Sequence, residues 1–172
     1  TSTTPVSKAS LTTPSVERAS KSAPNAADAD DPFRDEYAAI WKRIARWDGD
    51  PDRLKEPRQQ IMAILANDRA YAPAYVALAR IEAFSGFQTD MTFESEALDR
   101  GSKFVSHALK LDETNFDAHC TAALIATLRG DYDVAEESLR RADELKPGHA
   151  AIKIVRATIA SAQADALKAV KL

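Results

Sequence analysis

Three histidines, one cysteine and a few acidic pairs are the side chains in this sequence that could do chemistry. His107, His119 and His149 do not fall at the i, i+4 interval at which two imidazoles on one helix grip a metal ion, so they read as structural or surface residues. Cys120 stands alone, which excludes a disulfide within this sequence and a cysteine-based zinc cage. Asp131 with Asp133, Glu136 with Glu137 and Glu94 with Glu96 each fall in an expected turn or first helical turn. Acids are favoured there because they offset the positive end of the helix dipole. Serines and threonines are plentiful but crowd the N-terminal segment, and none sits beside a base that would activate it. The expectation is a protein that is not an enzyme and carries no cofactor or metal.

The elements that must position these residues are bounded first by composition. The 172 residues suffice for one domain with a real core. A content of 45% hydrophobic and 28% charged residues is ordinary for a globular chain. The net charge of −3 and pI near 5.6 come with no basic block, which argues against a nucleic-acid partner. Only five glycines occur, and no phosphate-binding loop is among them. No apolar run approaches the roughly 18 residues that cross a bilayer, so direct membrane insertion is not expected. The first residue is Thr rather than Met, which a removed leader and a fragment boundary would both produce.

Residues 1–31 are nearly all Thr, Ser, Ala and Pro, with a few charges and no aromatic ring. Such a segment buries too little apolar surface to offset about 1–2 kcal/mol of backbone entropy per residue, so it reads as a disordered tail. Mature envelope proteins of bacteria often begin this way, which favours a periplasmic or envelope setting over a cytoplasmic one. The folded part is then 32–172. Asp31-Pro32 suits a helix start, with Asp as N-cap and Pro at the first helical position. Tyr37, Ile40, Trp41 and Ile44 follow on one apolar stripe. Asp48-Gly49-Asp50-Pro51 ends that helix. A short turn over 52–56 should precede a second helix over 57–66, with Ile61, Ile64 and Leu65 inward.

A second pair starts at Tyr71-Ala72-Pro73-Ala74-Tyr75 and breaks at Ser85-Gly86. By the spacing of its turn glycines this second unit is longer than expected, with the surplus between its two helices around Phe87 to Phe93. Gly101, inside the returning helix, costs about 1 kcal/mol relative to Ala and therefore suggests a close approach to a neighbour. Asn115 should cap a helix from Phe116 to Leu128. Gly130-Asp131 should end it and cap the next, with Tyr132 opening the buried side and small Ala135 letting the two backbones come close. After Pro147-Gly148, the stripe Ile152, Val155, Ile159, Ala162, Ala166, Val170 reads as a last, capping helix with a bend near Ala164-Asp165.

Gly130 to Pro147, with Ala135, Leu139 and Ala142, resembles the second half of a tetratricopeptide repeat (TPR), a helix pair of 34 residues. Ala118, Ala122, Ala123 and Ala126 take that family's small positions in the preceding helix. Ala108 and Leu111 precede Ala142 and Leu145 by the same 34 residues. The resemblance implies an all-α, TPR-like superhelix of about three helix pairs plus a C-terminal capping helix. It also implies a protein–protein scaffold or adaptor whose concave groove, lined by the first helix of each pair, takes a peptide or amphipathic helix of a partner. Carried over position by position, the lining is Arg43 and Trp47, then Val76, Arg80 and Phe84, then Cys120, Leu124 and Leu128. The family's chaperone-binding members hold terminal carboxylates with Lys and Asn. Ala39, Val76 and Cys120 stand at the Lys-type positions and Arg80 and Leu124 at the Asn-type ones, so that clamp is not expected. Leu124 and Leu128 would line an open groove or pack under the last helix. The alternatives for function are a homo-oligomeric structural subunit and the regulatory tail of a larger regulator.

Overall fold

The computed structural model describes residues 31–88 and 92–169, with side chains to residue 164. Apart from Asp31, the expected tail lies outside the described residues, as do Val170 and the side chain of Ala166. Within them the fold is all-α, with seven α-helices packed on one another and no strand. They are α1 (Arg34–Ala45), α2 (Lys55–Asn67), α3 (Ala72–Ser85), α4 (Ser95–Leu111), α5 (Phe116–Arg129), α6 (Tyr132–Leu145) and α7 (Ala150–Ala169). α1 with α2, α3 with α4 and α5 with α6 form three pairs, and α7 closes the series.

Helix α1 starts at Arg34, two residues later than expected. Asp31 is engaged elsewhere. One carboxylate oxygen accepts from the Phe33 N–H at 2.9 Å, and the other accepts from the Tyr71 hydroxyl at 2.9 Å. The first of these bonds makes a turn before the helix, and the second ties that turn to the start of α3. At the other end, Pro51–Leu54 forms a 3-10 turn that runs directly into α2. Pro57 is therefore the third residue of α2, where its missing N–H would have had no intrahelical acceptor.

Helix α3 is apolar nearly all round and is correspondingly buried nearly all round. It touches α1, α2, α4 and α5. Its alanines (72, 74, 77, 79, 83) let these neighbours come near, and Gly101 of α4 completes the fit. The described ends of the insertion after α3 are joined. Phe87 and Phe93 pair as a single antiparallel bridge, with Glu94 N–H donating to Gly86 O at 2.8 Å. Phe87 also sets its edge against Trp47, at 5.4 Å between ring centroids.

Asn115 caps α5 as expected, its Oδ1 accepting from Ala118 N–H at 2.9 Å. Gly130 ends α5 with φ of 84°, a left-handed conformation that suits glycine. Asp131 stands at the N-cap position of α6, but its side chain makes no capping hydrogen bond there, contrary to the expectation. Ala135, Leu139 and Ala142 face α5 and α7 from α6. Ile152, Val155 and Ile159 of α7 complete that cluster, each contributing about 1.5–3 kcal/mol by burial. α7 is one helix from Ala150 to Ala169, continuous through Ala164-Asp165, where a bend is expected from the sequence. No described helix is long and apolar enough to cross a membrane.

Candidate partner-binding face

The odd-numbered helices form a continuous row, α1 on α3, α3 on α5 and α5 on α7. Each even-numbered helix bridges two members of that row, which leaves the other face of the row as the candidate surface.

The eight residues assigned to a groove from the sequence fall into three groups. Some are spent on packing. Val76 is fully buried with Ala108 and Ala118, and Leu128 packs with Ala79, Ala83, Leu98, Val105 and Ile125. Cys120 is 3% exposed, within the cluster that α7 covers. Burial, aided by nearby Asp117, pushes its thiol up to about 12, so it stays protonated and unreactive near neutrality. Other residues are held by neighbours. Arg43 donates to Glu56 at 2.6 and 3.1 Å and to Gln60 at 3.2 Å, along the α1–α2 seam. Trp47 stacks on Phe84 at 4.6 Å with an interplanar angle of 10°, and its indole N–H donates to Asp50 O at 2.8 Å. Two residues remain partly exposed on the row without a hydrogen bond, Arg80 of α3 and Leu124 of α5. Neither Leu124 nor Leu128 belongs to the cluster beneath α7.

Around Arg80 the structure gathers residues that sequence reasoning did not connect. Tyr37 and Trp41 of α1 stack at 5.9 Å, and the Arg80 guanidinium lies 4.6 Å from the Trp41 ring centre. Asp117 of α5 is electrostatically coupled to both Arg80 and Tyr37. Lys146 sits over the Phe116 ring at 4.8 Å, and His149 meets the edge of that ring at 4.7 Å. Burial pushes Tyr37 well above its ordinary value and lowers that of Arg80. Burial also raises Asp117, against the opposing pull of Lys146, Arg80 and His149. The Tyr37 hydroxyl and Arg80 Nε are buried with no hydrogen-bond partner. One signal could have flagged this place. Arg80 and Glu82 are the only charged residues in α3, an otherwise apolar helix.

The site contains cations, one carboxyl, aromatic faces and no activated nucleophile. The other histidines serve structure, His107 against Tyr75 at 4.3 Å and His119 on the carbonyl of Glu113 at 2.9 Å. Among the described residues no group of three or more His, Cys, Asp or Glu side chains could hold a metal ion. No family model matches the chain, and no curated protein matches it.

The raised value of Asp117 fixes a pH dependence. A carboxyl that holds its proton more tightly when folded adds stability that is full below its ordinary value of 3.8 and is lost as pH rises through the folded value. Asp117→Asn removes this loss. Urea midpoints should therefore show the variant gaining on the parent as pH rises from below 3.8 through the raised value. A constant difference across that range would mean that burial does not perturb Asp117.

Proposed function

We propose that the protein is a non-catalytic interaction module that takes a peptide or amphipathic helix of a partner protein on the free face of its odd-helix row. The observation that carries this reading is the cluster of Tyr37, Trp41, Arg80 and Asp117. These side chains come from three successive helices of the row, and the Tyr37 hydroxyl and Arg80 Nε among them are buried without a hydrogen-bond partner. Buried polar groups are ordinarily satisfied within a protein, and exceptions concentrate at working surfaces. The TPR-like turn at Gly130 and the 34-residue echo support the same reading, since that family recognises partners on this face. A bacterial envelope or secretion assembly is the setting we propose, on the composition of residues 1–31.

The test pairs Arg80→Gln with Leu124→Glu in the full chain. Leu124 is chosen over Phe84 and Leu128 because those two hold the helices together. Capture from native extract, read by mass spectrometry, should lose the specific partner by tenfold or more while far-ultraviolet circular dichroism is unchanged. Undiminished capture by a folded double variant would sink the proposal.

A further inference from the structure

We propose that the outer face of α7 is an interface with a second copy of this chain, the two α7 helices lying antiparallel about a two-fold axis near Ala157. Ile154 is 67% exposed, more than any other large apolar side chain among the described residues. Ala157, Ala160, Ser161 and Ala164 beside it are exposed as well, and no charged residue occurs from Ala157 to Ala164. The Thr158 hydroxyl donates to the Ile154 carbonyl of its own helix at 3.0 Å and so leaves no polar group there to be hydrated. A helix that ends a stack ordinarily turns a polar face to water. Its neighbour α6 does so, with Glu137, Arg140, Arg141 and Glu144 in exposed ion pairs. α7 does not.

The packing of the earlier helices identifies what such a face receives. On α3, Ala79 and Ala83 take Gly101 and Val105 of α4, and Val76 takes Ala108. On α5, Cys120 and Ala123 take Ala135, Leu139 and Ala142 of α6. Ile154 and Ala157 follow Cys120 and Ala123 by 34 residues, as those follow Val76 and Ala79 by 44. They repeat the same seat, and no described helix lies on it. The incoming helices share a pattern of their own, small, branched and small at i, i+4 and i+7, in Gly101-Val105-Ala108 and Ala135-Leu139-Ala142. α7 carries that pattern in Ala150-Ile154-Ala157, and all three are exposed. It is seat and insert at once, and a face that complements itself is what a two-fold axis requires. Charge favours the antiparallel arrangement. At 1.5 Å per residue it separates the two copies of Lys153 by about 12 Å along the axis and sets each against the uncharged run of the other. A parallel pair would place them side by side. Twenty residues make a helix only about 30 Å long, so the contact is small and the dimer should dissociate at about micromolar concentration.

The experiment is sedimentation velocity of the full chain over a concentration series from about 1 to about 300 μM, where mass action should carry it reversibly from monomer to dimer. Ala157→Glu buries a charge at the axis and should weaken association by about tenfold or more, with far-ultraviolet circular dichroism unchanged. Met62→Glu, at an exposed apolar residue of α2, should leave association as it is. Orientation is read by a short bis-maleimide. A mixture of Ile154→Cys and Ser161→Cys chains should cross-link faster than either variant alone, while native Cys120 is buried and does not compete. A monomer at every concentration, a dimer that survives Ala157→Glu, a dimer lost equally to Met62→Glu, or a mixture that links no faster than its components would each overturn the inference. No partner protein enters these measurements, so the result is independent of the interaction reading above.

Discussion

Replacing Arg58 and Arg100 together with Met should destabilise the fold by about 3–5 kcal/mol, whereas Glu82→Leu should cost less than about 1.5 kcal/mol. The asymmetry follows from which partner is buried. Glu82 is 2% exposed, while the Arg58 and Arg100 side chains are 49% and 47% exposed. One carboxylate oxygen accepts from Arg100 Nε at 2.8 Å, and the other faces Arg58 as an ion pair without a hydrogen bond. Without both arginines, a carboxylate remains among apolar side chains with no donor, and it must take up a proton or draw water into the α2–α3–α4 junction. Without the carboxylate, each guanidinium is still half in water and hydrates at little cost. A leucine of similar volume then fills the vacated space. The triple variant, with all three positions apolar, should lie at or above the parent in stability, because a buried ion group often gives no more than packing does. Urea unfolding with constant m-values would measure all three. If Glu82→Leu proved the most damaging, the charge would be holding α2 and α4 in place rather than merely being tolerated there.

Glu82 and Arg80 mark the boundary of what the sequence discloses. Features with their cause within one turn were legible. Asn115 caps the helix that follows it, Gly130 supplies the left-handed residue that ends α5, and the stripe over Ile152, Val155 and Ile159 faces α5 and α6 as drawn. Features whose partner lies far along the chain were not. Tyr71 draws Asp31 away from capping across 40 residues, and α1 starts later in consequence. Glu82 looks like an ordinary acid until helices from both sides bring arginines to it. The packing of Val76 and Leu128 was hidden for the same reason. Helical position placed them on the right helices, but α3 is enclosed on nearly every side, and the positions assigned to lining are partly consumed by packing. Arg80 and Leu124 keep partial exposure on the row, and the cluster around Arg80 spans three helices and so has no local signature.

Gly101→Val should destabilise the protein by about 3 kcal/mol, and Gly101→Ala by about 1–2 kcal/mol, despite a propensity gain for alanine of about 1 kcal/mol. The sign depends on what the added methyl would meet. A Cβ at Gly101 would lie 2.8 Å from the carbonyl oxygen of Ala79 and 3.1 Å from Ile125 Cδ1. The Ile125 side chain can turn aside, but the Ala79 oxygen belongs to the backbone of α3, so relief requires α3 and α4 to separate. That separation would loosen Leu98 and Val105 of α4 where they meet Ala79 and Ala83. It would also reach the candidate face, because Ala79 immediately precedes Arg80. Gly101→Ala should therefore lower the urea midpoint and weaken partner capture together, although Gly101 belongs to α4, outside the odd-helix row. A stabilised Gly101→Ala variant would show that the propensity gain prevails and that the two helices have room to spare.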